Sequence, residues 1–205
     1  MKQSVHVLFL LAVALVGLAS EPAQAQTGQF YIGASAGRTS FDTGIITYTA
    51  SLDESSTGYK LVAGYNLNPN VAVEFTYADL GKATVSGNSG DVFAYRGVGY
   101  QFLLNNAEIK FEGTLIGAGG RFSFPVSRAL SLYARLGLAS WNIDATASAP
   151  GAITSTSSDS GTDPYYGAGI GWEFVPTVSL TAEYEHYELD TESADLMSIG
   201  IIKRF

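Results

Sequence analysis

The sequence predicts an all-β protein, an eight-stranded antiparallel up-and-down transmembrane beta-barrel. Three observations predict it. The 205-residue chain opens on a segment with the form of an export signal. Beyond that segment, glycine and aromatic residues recur at spacing two, where a helix would carry Ala, Leu, Glu and Lys at spacing 3.6. Long and short connections then alternate between the strand candidates, as they do when spanning strands turn tightly at one membrane face and loop out at the other.

Residues 1–25 form the expected signal peptide. Lys2 supplies a positive start, Val5 to Ala19 are apolar apart from His6 and Gly17, and Ala23-Gln24-Ala25 is a small-x-small cleavage site. The apolar run is shorter than the ~20 residues a spanning helix needs. Residues 26–205 are the expected barrel domain. Cleavage removes Lys2 and Glu21 together, so the formal net charge stays at −8.

Composition excludes several chemistries. There is no cysteine, so disulfides, thiolate metal sites and cysteine nucleophiles are excluded. Two histidines, one in the signal, exclude a His-rich metal site. Eleven basic residues against nineteen acidic ones argue against a nucleic-acid partner, which requires a basic face.

The first strand, Phe30–Arg38, puts Phe30, Ile32, Ala34 and Ala36 on one face, and residues 40–56 read as a polar loop. Thr57–Leu67 aligns Tyr59, Leu61, Ala63 and Tyr65, with Gly58, Lys60 and Gly64 opposite. Asn68-Pro69-Asn70 is a turn. Val71–Leu80 alternates most cleanly, with Val71, Val73, Phe75 and Tyr77 on one face. Within 81–107, residues 92–104 have strand character that fits a hairpin, a strand extension or a structured loop.

Glu108–Phe122 is the fourth spanning strand. Its charges do not share one parity, which a bulge near Gly117–Gly120 would reconcile. Ala129–Trp141 is the fifth, with Leu130, Leu132, Ala134, Leu136 and Leu138 aligned. The tract TSTSSDSGTD at 154–163 reads as a mobile loop whose deletion should be tolerated. Pro164–Phe174, Val178–Leu189 and Asp195–Phe205 complete the set.

The glycine distribution assigns the faces. Gly58, Gly64, Gly137, Gly167, Gly169 and Gly171 lie on the polar parity, while Tyr59, Tyr65, Tyr77, Tyr166, Trp172 and Phe174 lie on the other. A lipid-facing band edged by aromatics requires the second set outside. The inward set is then Lys60, Glu74, Lys110, Glu112, Arg135, Glu173, Glu183, Glu185 and Arg204. These mixed charges read as a salt-bridged interior, because a buried charge is tolerable only when paired. An eight-stranded barrel is just wide enough for side chains to fill it. A narrow small-solute or ion channel is the alternative reading.

No catalytic residue is expected. His186 has Glu188, not serine, two residues on, so a Ser-His arrangement is missing. That leaves a lipid-modifying barrel enzyme as a remote alternative. Gly167–Gly171 (GAGIG) has neither the spacing nor the helix of a phosphate loop. Cofactors and metals are not expected. Tyr48, Phe93 and Tyr95 are loop aromatics, better suited to packing above the rim than to recognition.

The segments PYYGAGIGWEFVPTVSLTAEYEHYEL (164–189), IGIIKRF (199–205) and YKLVAGYNLNPNVAVEFTYADLG (59–81) resemble the OmpA-like transmembrane beta-barrel family. The resemblance covers essentially the whole chain after the signal. It implies termini in the periplasm, a terminal Phe205 read by the barrel assembly machinery, and salt bridges among Lys60, Glu74, Glu112, Arg135, Glu183 and Arg204. No peptidoglycan-binding domain is expected to follow. The expected place is the cell outer membrane, and the expected partners are outer membrane lipid and the assembly machinery. A host or surface ligand at the loops is also expected, with the chain a monomer in an envelope-integrity or surface-interaction role.

Overall fold

A computed structural model describes residues 28–151 and 154–205; the expected signal segment lies outside them. In chain order the strands are β1 (Phe30–Asp42), β2 (Ile45–Thr47), β3 (Ser51–Asp53), β4 (Ser55–Asn68), β5 (Val71–Gly87) and β6 (Val92–Tyr95). They continue with β7 (Val98–Gln101), β8 (Ala107–Pro125), β9 (Leu130–Ser148), β10 (Ser155–Val175), β11 (Val178–Leu189) and β12 (Glu192–Arg204).

Eight of these strands close on themselves. The order β5-β4-β1-β12-β11-β10-β9-β8 is completed by pairing of β5 with β8, every pair antiparallel. The first and last strands meet along Tyr31↔Arg204 to Asp42↔Ser193. Closure satisfies each strand's backbone donors and acceptors on both sides, which is what hydrocarbon demands. The period-two pattern fixes the register, since a slip of one residue would exchange the two faces. Large apolar side chains duly point outward and stay exposed, among them Phe75, Ile116, Leu136, Leu138 and Ile199.

Outward aromatics form two rings. Phe30 and Tyr65 touch at 4.7 Å between centroids, and Trp172 lies 6.2 Å from Phe174, all near the termini. Tyr59, Tyr77, Tyr166 and Tyr184 edge the opposite end. Tyr166 and Trp172 are six positions apart on β10, a separation of roughly 20 Å along a strand.

Three expectations need correction, and one open reading narrows. The tract 154–163 is not a loop: residues 155–163 are the start of β10 and pair with 139–147 of β9. Of the three readings open for 92–104, the hairpin is the one found: β6–β7 pairs across residues 92–101 and joins β2 in a separate three-stranded sheet. No bulge occurs in β8, whose register with β9 runs unbroken from Glu108↔Ser148 to Pro125↔Ser131. The irregularity is instead in β5, between Asp79 and Gly81, where Gly81 takes a φ of 77°. Finally, the barrel interior is not polar throughout. Toward the loop end, Leu80, Leu115, Trp141, Tyr165, Tyr187, Leu189 and Leu196 form an apolar layer inside it.

Candidate functional site: the lumen and its cap

The charged layer lies below that apolar one. Glu74, Arg135, Glu183 and Lys60 come from four different strands, and each projects inward because it occupies the glycine-bearing parity. Arg135 Nε is 2.6 Å from Glu74 Oε2, and its Nη1 lies 2.7 Å from Glu183 and 3.5 Å from Glu185. Lys60 is paired with both Glu183 and Glu185. Three tyrosines complete the carboxylates' shells: Tyr31 donates to Glu74 at 2.6 Å, Tyr133 to Glu183 at 2.5 Å, and Tyr187 to Glu185 at 3.2 Å. All five ionic groups are buried.

Neighbouring glycines make room for these rings. A Cβ on Gly64 would stand 2.1 Å from Tyr31, and one on Gly169 would stand 2.5 Å from Tyr133. The inward glycines thus serve as sockets for aromatic side chains. The tyrosines were legible only as members of the polar parity, and their pairing with the carboxylates required the register between strands.

The remaining predicted residues fall elsewhere. Arg204 pairs with Glu173 and donates to Ser179 at 2.7 Å, near the termini and apart from the central cluster. Lys110 pairs with Glu108 on the outer surface, where β8 has risen past the aromatic ring. Glu112 is exposed on the same outer parity, between Lys82 and Asp144 in register. Neither joins the lumen. Their opposite parity to Arg121 is therefore real and needs no bulge, because a strand that outruns the membrane can carry charge on its outer face.

His186 also points outward. Its ring lies 2.7 Å from Asp195, 3.3 Å from Glu188 and 5.0 Å from the Tyr166 ring. Ser158 and Ser160 lie further up β10, in register with β9. No group of His, Asp and Glu suited to a metal occurs among the described residues.

Above the apolar layer sits the cap, the β2-β6-β7 sheet. Its inner side buries Phe93 and Phe102 against Val85 and Ala107, with Tyr95, Ile109 and Phe111 packed around them. Phe93 and Tyr95 are thus packing residues, whereas Tyr48 is exposed. Tyr95 donates to Glu192 and Arg96 reaches Asp190 at 3.3 Å, tying the cap to the β11–β12 turn. Burial, helped by the Glu192 carboxylate, pushes the Tyr95 phenol up to about 12. Ile46, Tyr48, Leu103 and Leu104 are exposed around the cap, and so are Val98 and Tyr100 of its edge strand β7. These two share a face with their register partners Tyr95 and Phe93, Tyr100 stacking on Phe93 at 5.4 Å.

Comparison with known proteins gives a consistent result. A family model described as the outer membrane protein beta-barrel domain matches residues 9–203. Outer membrane protein A of Salmonella typhi is 28% identical over 177 residues, covering 85% of this chain and 46% of that protein. The chain therefore spans about half the length of the curated relatives it matches. Among solved structures, Ail, the attachment invasion locus protein of Yersinia pestis in complex with the heparin analogue sucrose octasulfate, superposes with a TM-score of 0.57. It is 22% identical, over 88% of this chain and 100% of that one. The N-terminal barrel of Pseudomonas aeruginosa OprF gives a TM-score of 0.51 at 19% identity, over 87% of this chain and 100% of that one.

Proposed function

The chain belongs to the outer membrane protein beta-barrel domain family and lies in the outer membrane; from that premise we propose that it works by surface recognition at its cap. The carrying observation is the cap itself. Two loops have built a separate sheet packed on β5 and β8, and Ile46, Tyr48, Val98, Tyr100, Leu103 and Leu104 in and beside it are exposed. Exposed apolar side chains carried by a packed platform suit binding of another protein.

The partner we favour is a protein surface rather than a sulfated glycan. Ail was solved with a heparin analogue, but the loop end of this chain is acidic. Asp42, Asp53, Glu54, Asp91, Asp159 and Asp190 stand there, and they oppose a polyanion. The lumen supports the same reading over conduction, since the apolar layer and the ion cluster fill successive levels of it. The barrel acts as a monomeric scaffold, inserted by the assembly machinery through β12 and Phe205.

Cells displaying the chain, or a Val98→Ser, Tyr100→Ser, Leu103→Ser variant, are tested for adhesion to immobilised matrix proteins and to glycosaminoglycan. Adhesion to protein coats should fall in the variant. Equal adhesion of both, or adhesion to glycosaminoglycan alone, refutes the reading. Planar-bilayer recording tests conduction separately: the purified barrel should be silent.

A further inference from the structure

The lumen is not filled at its terminus end. A cavity of about 300 Å³ opens there, lined by Tyr31, Arg121, Ser123, Ser131, Glu173 and Arg204 among others. Arg204 is engaged with Glu173. Arg121 is not engaged with any carboxylate among the described residues. Its Nε is buried and has no hydrogen-bond partner.

Three features leave Arg121 in that state. Its register partner across β9 is Arg135, a like charge that has turned the other way to Glu74 and Glu183. Its guanidinium lies 3.9 Å from the Tyr133 ring centroid and 5.7 Å from that of Tyr31. Those two tyrosines spend their hydroxyls on Glu183 and Glu74, so they fence Arg121 off from both carboxylates. Among the described residues, Glu173 is the only side-chain carboxylate at this end, whereas Arg121, Arg128, Lys203 and Arg204 are all there. The rest of the acidic excess lies in the lumen cluster and at the loop end.

We propose that this vestibule binds a small oxyanion of the phosphate class, anchored on Arg121 and supported by Arg128 and the serine hydroxyls of the wall. A guanidinium presents a planar fork of donors that matches such an anion, and stacking on tyrosine fixes its orientation in advance. Arg128, exposed in the β8–β9 turn, borders the same cavity. Serines 123, 127, 131 and 179 supply neutral donors around it.

The test uses the full barrel in phosphatidylcholine nanodiscs, following arginine Nε–Hε NMR signals while inorganic phosphate replaces chloride at constant ionic strength. The Arg121 signal should shift saturably and that of Arg135 should not. Arg121→Gln should weaken phosphate binding about tenfold or more, the loss expected of a charge-assisted contact. Arg121→Lys, which keeps the charge without the fork, should fall between. Heat-modifiable gel mobility checks that each variant is folded. Phosphatidylglycerol nanodiscs separate the sources: if a lipid headgroup is the occupant, the Arg121 signal is displaced there before phosphate is added. An Arg121 signal indifferent to both phosphate and lipid, or unchanged phosphate affinity in a folded Arg121→Gln, overturns the proposal.

Discussion

Replacing Arg135 by methionine should unmask how dry the lumen is. The side chain lies within 2.6 Å of Glu74, 2.7 Å of Glu183 and 3.5 Å of Glu185, and it is buried with all three. Without it, Lys60 still serves Glu183 and Glu185. Glu74 would keep only the Tyr31 hydroxyl. Removing one partner of a buried ion cluster costs about 3–5 kcal/mol, because the charge left behind is neither solvated nor paired. The assay is reversible urea unfolding in lipid vesicles, read by tryptophan fluorescence and gel mobility. Adding Glu74→Gln to Arg135→Met should recover about 1–3 kcal/mol, since a neutral amide is cheaper to bury than a bare carboxylate. The double-mutant cycle then gives the coupling between the two residues directly. A loss under about 1 kcal/mol for Arg135→Met would refute the reasoning: it would mean that water reaches Glu74 and screens it.

Three further outcomes are expected. Gly64→Ala should displace the Tyr31 ring, 2.1 Å from the new methyl, and cost about 1–3 kcal/mol in the same unfolding assay. Removing Ile199–Phe205 should abolish heat-modifiable assembly, because β1 then loses its partner from Ala36 back to Tyr31. The Tyr95 phenol, with a folded pKa of about 12 against 10.0, contributes to cap docking at full strength below pH 10, and that contribution is lost as pH rises through 12. Absorbance at 295 nm, taken as the difference between the parent and Tyr95→Phe, should show this late titration, and Glu192→Gln should bring it earlier.

How far the sequence could be read depended on whether one face of a strand met lipid. In β11, every even position from Leu180 to Tyr184 faces out and the odd positions Thr181, Glu183 and Glu185 face in, and its bounds, Val178–Leu189, emerge from the pattern alone. Residues 155–163 defeat the same reading, because both of their faces are wet and Ser/Thr alternation carries no polarity. Lys110 and Glu112 misled for the converse reason: parity says which side a residue takes, but not whether hydrocarbon or water lies on that side. The inward Leu115, Trp141 and Leu196 were hidden because an apolar residue on the polar parity looks like noise until the register stacks several at one height. Arg121 gave a legible anomaly in its parity. What it stacks on could be found only in three dimensions.

The barrel's rim is uneven. β5, β8, β9 and β10 rise well past the point where β10 last pairs with β11, at Tyr165↔Tyr187, while β1, β11 and β12 stop near the membrane. The cap leans on the inside of that raised parapet, against Val85, Ile109 and Phe111. The molecule consequently has a front and a back as seen by its neighbours in the plane of the membrane. On the low side an approaching body meets the β11–β12 turn, held to the cap by Tyr95 and Arg96, and on the high side it meets a wall of paired backbone.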